Sequence, residues 1–195
     1  EVYKGVTYQN VASDICANDD GGKAAAEAKK QGVQLSQNND EGDSWDGMRD
    51  LDHKSLNVQK IVKVYEDYLL NDLGYAGFRY DMVKGFSGQH IGDYNSAANV
   101  KFSVGEYWDG SAEKVKSWID ATGKKSAAFD FAFRYSVSKA INSNDWKLLE
   151  NYGSTGLTVD AGVYKQYAVT FVENHDVQDR GTTNGYNPDP IRRDT

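Results

Sequence analysis

The sequence has one cysteine, Cys16, among 195 residues. A single thiol excludes an intramolecular disulfide framework and any zinc site built on clustered thiolates. No apolar run approaches the roughly 20 residues that a membrane-crossing helix needs. An excess of positive charge is also missing. Twenty-two Lys+Arg face 29 Asp+Glu, for a formal net charge of −7. A nucleic-acid binder needs a basic stripe to meet phosphates, so that class is disfavoured. The opening Glu-Val-Tyr-Lys-Gly does not read as a signal peptide. That leaves export open, because a processed chain lacks one too. What is present is ordinary globular chemistry: 39% apolar, 12% aromatic and 26% charged residues, far from the signature of a disordered chain.

The text changes character near residue 50. Residues 1–50 are rich in Asp, Asn, Gly and Gln. The runs Asn18-Asp19-Asp20-Gly21-Gly22 and Asn38-Asn39-Asp40-Glu41-Gly42 read as loops. Between them a short helix is expected over 24–30, with no apolar face worth burying. This part is expected to lean on something else. From residue 51 the pattern is rhythmic. Val58, Ile61, Val62, Tyr65, Tyr68 and Leu69 fall at helical spacing, which predicts an amphipathic helix over 57–71 closed by Gly74. Strands are predicted over 76–83, 101–106, 127–131 and 167–172. Helical text lies between them, including a helix capped by Ser111 that carries Val115, Trp118 and Ile119 on one face. An inserted loop is expected around 151–162. Strand and helix alternating at about two dozen residues per unit predicts parallel β/α architecture. Asp81, Glu106 and Asp130 keep that pace, at intervals of 25 and 24 residues.

In a β/α barrel the active site forms where strands end. Asp81, Glu106 and Asp176 each stand at or just past the end of a predicted strand. Acids are also simply soluble there, so position alone does not make them catalytic. Two close carboxyl groups suit glycoside hydrolysis, one as nucleophile and one as proton donor. Arg79 precedes Asp81 by two residues, so a strand puts both on one face. There the cation would keep the carboxylate ionised. Glu106 is followed by Tyr107 and Trp108, which fit either a desolvating wall that stacks on sugars or plain core packing. His175-Asp176 is a weak pairing by itself. His53 and His90 read as surface or packing residues.

Three segments resemble the α-amylase family of glycoside hydrolases. Gly77-Phe78-Arg79-Tyr80-Asp81-Met82-Val83-Lys84 is similar to the family's second conserved segment. Val104-Gly105-Glu106-Tyr107-Trp108 is similar to the third, and Phe171-Val172-Glu173-Asn174-His175-Asp176 to the fourth. They occur in the family's order. The resemblance implies Asp81 as nucleophile, Glu106 as general acid/base, and Asp176 as the carboxylate that stabilises the transition state. It implies substrate contacts from Arg79, Lys84, His175, Tyr107 and Trp108, and retention by double displacement. The substrate implied is an α-glucan, cut at internal α-1,4 bonds. An α-glucosidase, a maltogenic or transglycosylating relative, or a non-catalytic glucan-binding one remain the alternatives.

The resemblance further implies a structural calcium ion, with Asp50 and the carbonyl of Gly85 as ligands, and oxygen donors suit that ion. Otherwise Asp50 and Asp52 cap the helix near residue 57. The family's first conserved segment is not found. The implied fold is therefore α/β: a partial (β/α)8 barrel, about strands four to seven, over 51–195. It is preceded over 1–50 by the tail of the loop domain that follows the third strand. The reading is of an internal fragment, with little activity expected of these residues alone. By analogy the parent is secreted, since polymeric starch does not cross membranes.

Overall fold

The computed structural model describes residues 1–43, 47–150, 156–159, 162–172 and 174–176. Much of the expected inserted loop, Glu173 and everything after Asp176 lie outside the described residues. The first residues form a hairpin, β1 (Val2–Tyr3) and β2 (Val6–Thr7), turned by Lys4 and Gly5, both at positive φ. Helix α1 (Lys23–Lys30) follows, and it does bury something: Ala24 and Ala28 are both sealed from solvent. Methyl groups one helical turn apart are too small to register as an apolar stripe, yet they seat the helix.

Helix α2 (Leu56–Asp67) starts where Ser55 accepts hydrogen bonds from the amides of Asn57 and Val58. Ser55 is thus the cap, and neither Asp50 nor Asp52 is. Buried Asp14 accepts from Ser55 Oγ at 2.7 Å and Asn57 Nδ2 at 2.6 Å. Buried Asp52 accepts from Ser36 Oγ at 2.6 Å and Asn38 Nδ2 at 2.9 Å. These two carboxylates pin the loop-rich residues onto the entry to α2, so the early residues do lean on the later ones. The predicted extension of α2 to 71 is present, but as a π-helical stretch over Tyr68–Asp72.

Four strands then form one parallel sheet in the order β3-β4-β5-β6. They are β3 (Phe78–Tyr80), β4 (Ser103–Gly105), β5 (Ala127–Phe129) and β6 (Ala168–Val169), each shorter than the apolar run that announced it. The intervening helices are α3 (Gly88–Ala98), α4 (Ala112–Ala121) and α5 (Phe131–Ser143). Ser87, Ser111 and Asp130 cap them in turn, so β3, β4 and β5 are each followed by a helix with a polar cap. Phe78 pairs with Ser103 and Tyr80 with Gly105, a register that sets the ends of β3 and β4 level. Val83, Ile91, Val115, Trp118, Ile119, Ala128 and Leu157 make the core between sheet and helices. Gly105 is required by that packing: a Cβ there would lie 2.1 Å from the Trp118 ring.

A polar chain runs behind the strands. Tyr80 Oη lies 2.8 Å from Glu66 Oε1 on α2 and 2.8 Å from Asn95 Oδ1 on α3. Asn95 Nδ2 donates to Ser103 Oγ and to the carbonyl of Lys125, which fixes the amide oxygen toward Tyr80. One phenolic proton cannot serve two acceptors. The geometry closes if Glu66 is protonated and donates to Tyr80, while Tyr80 donates to Asn95. Burial agrees, pushing the Glu66 carboxyl up to about 7. A carboxyl whose pKa is raised on folding stabilises the fold least when ionised. Its contribution is intact below about 4.5, declines between there and about 7, and is fully lost above. Glu66→Gln keeps the donor and removes the titration. The variant should gain up to about 3 kcal/mol over the parent at alkaline pH and nothing at acidic pH. Chemical denaturation at both pH values checks this, and parallel stability curves would refute a protonated Glu66.

Candidate active site

Because β3 alternates, Tyr80 faces the helices and Arg79 and Asp81 face the other way. The ladder continues one step past β4, where the Glu106 amide donates to the Tyr80 carbonyl at 2.9 Å. Glu106 therefore projects beside Asp81. Arg79 joins them. Its Nη1 is 2.7 Å from Asp81 Oδ1, and its Nη2 is 2.9 Å from Glu106 Oε1. One guanidinium thus touches both carboxylates.

The two acids live in different surroundings. The Glu106 side chain is only 4% exposed, whereas Asp81 is 65% exposed. Burial holds the Glu106 carboxyl above the ordinary range; the Met82 amide at 3.3 Å and Arg79 oppose this, and hydrogen bonding with Asp81 reinforces it. Arg79 Nη2 is close enough to Glu106 Oε1 to form an ion pair but poorly aligned for a hydrogen bond, so that oxygen is buried without a hydrogen-bond partner. The site holds one acid that burial biases toward keeping its proton and one that faces water beside a cation, a contrast of surroundings that suits a proton donor next to a nucleophile.

A cavity of about 670 Å³ opens in front of the pair. Asp43, Asp81, Lys84, Gly85, Glu106, Trp108, His175 and Asp176 line it, together with Met48 and Met82. The three acids singled out in the sequence therefore share one hollow. His175 Nε2 is 3.0 Å from Asp176 Oδ2. Trp108 stacks on Phe131 at 4.8 Å and donates to Tyr135 Oη at 2.8 Å, so its ring is braced at the cavity wall. Tyr107 points elsewhere and packs against Trp118. Of the two neighbours, then, Trp108 lines the cavity and Tyr107 packs against the core. Arg79 lies behind the acids, in a smaller hollow with Phe129, Phe171 and Asn174.

His53 stacks on Phe86 at 4.2 Å and bonds Tyr94 Oη at 2.7 Å, a packing role. His90 pairs with Glu41 at 2.8 Å. Two contributors escaped the sequence reading. Asp109 carried a signal, standing three residues after Glu106 in a strand-end loop. Asp43 carried none, since it lies in polar loop text far from any strand.

Asp50 lies apart from the cavity lining. Its carboxyl is pushed up to about 6, by burial first and then by Asp40, Asp19 and Asp20. Arg49 offsets the last two, at 2.7 Å and 3.0 Å. Asp40 Oδ2 is buried without a hydrogen-bond partner. Gly85 packs near the Asp43 carbonyl, 3.8 Å from where a Cβ would stand. Among the described residues, no group of three or more His, Cys, Asp or Glu side chains is arranged to hold a metal. An ion here would need main-chain oxygens to complete its shell. The orphaned Asp40 oxygen and the raised Asp50 carboxyl, hard donors both, fit such an ion.

No family model matches the chain. It is 33% identical over 167 residues to "Probable alpha-amylase 2" of Arabidopsis thaliana, covering 78% of this chain and 39% of that protein. It is 31% identical over 164 residues to "Alpha-amylase 3, chloroplastic" of the same plant, covering 76% and 18%. The chain thus spans less than half the length of either relative. An α-amylase structure from Malbranchea cinnamomea superposes with a TM-score of 0.53 at 24% identity, covering 67% of this chain and 27% of that one. That likeness gives the four-stranded sheet its place as part of a (β/α)8 barrel.

The Arg79 bridge yields a prediction. Asp81→Asn removes a neighbour that favours protonated Glu106, so the Glu106 titration should move down. Arg79→Met removes the opposing cation, so it should move up. Carboxyl carbon NMR reads both shifts, and movement in the reverse sense would mean that burial and neighbours have been assigned wrongly.

Proposed function

The chain belongs to the α-amylase family of glycoside hydrolases, and from that premise we propose that the whole protein hydrolyses internal α-1,4-glucosidic bonds of starch and maltooligosaccharides. The observation that carries the reading is the shared guanidinium. It sets a buried acid, which burial biases toward keeping its proton, beside a carboxyl that is largely exposed, at the mouth of a cavity of about 670 Å³. In the proposed reaction, Asp81 attacks the anomeric carbon while Glu106 protonates the leaving oxygen. Glu106 then takes a proton from the water that releases the glycosyl group, and configuration is retained. Asp176 steadies the positive charge that develops on the ring. Lys84, His175 and Trp108 hold the chain, the first two by hydrogen bonds and the last by stacking. Arg79 and Tyr107 act from behind, one as counter-charge and one as packing for Lys84, whose ammonium lies 5.6 Å above the Tyr107 ring.

We also propose a structural calcium ion near Asp50, with Asp40 and the Gly85 carbonyl as further donors. The buried Asp40 oxygen without a hydrogen-bond partner and the partly buried Asp50 carboxyl support this, and no catalytic step passes through the ion. The division into residues 1–50, from a loop domain, and 51–195, from the barrel, is proposed on the change in composition and on the Asp14 and Asp52 anchors. As for location, the name of one plant relative puts that protein in a chloroplast, so kinship by itself does not imply export. Among the described residues no helix is long and apolar enough to cross a membrane.

Glu106→Gln in the full-length protein should lower hydrolysis by at least about a thousandfold while maltooligosaccharide affinity stays within a few fold. A fluorinated glucosyl donor should label Asp81 covalently, as read by peptide mass spectrometry. Label on another residue, or unimpaired turnover by Glu106→Gln, would remove the mechanism. Calcium should raise the thermal midpoint of the protein, and Asp50→Asn should abolish the increment. An equal increment in both would place the ion elsewhere.

A further inference from the structure

Among the described residues that line the cavity, Lys84 is the one lysine or arginine, against four acids: Asp43, Asp81, Glu106 and Asp176. The charge on Lys84 is already spoken for. Its Nζ lies 3.0 Å from Asp43 Oδ2 and 3.5 Å from Asp109 Oδ2. Asp109 is 13% exposed and also takes Lys114 Nζ at 3.1 Å and the Ser111 amide at 2.9 Å. The other cation near the mouth, Arg79, is equally committed, to Asp81 and Glu106.

Asp43 is held in place by its own loop. Its amide donates to the Lys84 carbonyl at 2.8 Å, so Asp43 grips Lys84 by both main chain and side chain. The preceding Gly42 lies flat on the same segment, where a Cβ would come within 2.1 Å of the Lys84 carbonyl oxygen. One residue earlier, Glu41 ties the loop to His90 at 2.8 Å and Lys54 at 3.0 Å. The loop is built to deliver a carboxylate to this wall. The Lys84 ammonium is held above its usual pKa, by the bond to Asp43 first, so it stays a cation that can still donate to a sugar hydroxyl.

Resting on the α-glucan reading above, we propose that Asp43 and Asp109 are specificity-determining residues. They fix Lys84 at the cavity wall, cancel its charge, and leave a mouth that accepts neutral glucan chains and rejects phosphorylated or carboxylated ones. A phosphate entering this hollow would meet carboxylates without an uncommitted Lys or Arg among the described lining residues. Like charges a few ångströms apart repel, most strongly at low ionic strength where screening is weakest.

The test is calorimetric binding of maltoheptaose, and of maltoheptaose carrying 6-phosphate groups, to the full-length protein at neutral pH. The neutral chain should bind at least about tenfold more tightly, a difference of about 1.4 kcal/mol. The gap should narrow at high salt. Asp43→Asn should shrink it several-fold by releasing positive charge on Lys84. Asp109→Asn should do the same while keeping an acceptor for the Ser111 amide. Lys84→Met should widen it. The ratio of the two affinities is the readout, since a variant that merely loosens the fold weakens both ligands alike. Equal affinities in the parent, or a gap unchanged in both Asn variants, would overturn the proposal and leave the α-glucan reading intact. Failure of the parent to bind even maltoheptaose would remove both.

Discussion

The arrangement turns on one cation shared by two acids. Without Arg79, a buried Glu106 and an adjacent Asp81 would face each other with no counter-charge between them. With Arg79 between them, the exposed partner keeps a full counter-charge at 2.7 Å. The buried partner receives a poorly aligned contact that does not undo the effect of burial. The asymmetry therefore comes from solvent access as much as from the cation. That is why Glu106, level with Asp81 on the next strand, must be the more buried of the two.

The juxtaposition of the two acids is set by the sheet. The bond from the Glu106 amide to the Tyr80 carbonyl continues the parallel ladder beyond β4. The Tyr80 side chain, facing the other way, is locked by Glu66 and Asn95. Gly105 lets Trp118 press against β4 from behind, which a side chain at that position would prevent. A polar chain and a ring thus brace the back of the strands whose ends carry the chemistry. Precision at the mouth is supplied by packing on the opposite face, where the sequence spends its buried residues.

This explains what could be read in advance. Strand-end acids were legible because residue period, glycine placement and cap residues are local properties: Arg79 with Asp81, Gly105 before Glu106, Ser111 before α4. The strands proved shorter than their apolar runs because pairing ends where the neighbouring strand ends, which no single run encodes. The contact from Arg79 to Glu106 spans 27 residues and depends on register. Glu66 carries no signal in the sequence, because its buried setting depends on Tyr80 arriving from a strand. Asp43 was invisible for the same reason, because polar loop text gives no hint of where a loop lands. The burial of Ala24 and Ala28 was missed because two methyl groups make no hydrophobic stripe.

The acid-rich balance of the chain can now be given a local meaning. An active site that needs two carboxylates in different states must hold cations close, yet those cations must not advertise charge to the substrate. Here each is buffered by a pair of acids: Arg79 by Asp81 and Glu106, Lys84 by Asp43 and Asp109. Pairing of this kind costs little where it is partly exposed, and it fixes long flexible side chains in place. Among the described residues the charge at the mouth is then negative, which in the proposed reaction would favour the positive charge that develops on a sugar ring as its glycosidic bond breaks. In that reading the same carboxylates hold the cations and stabilise the developing charge.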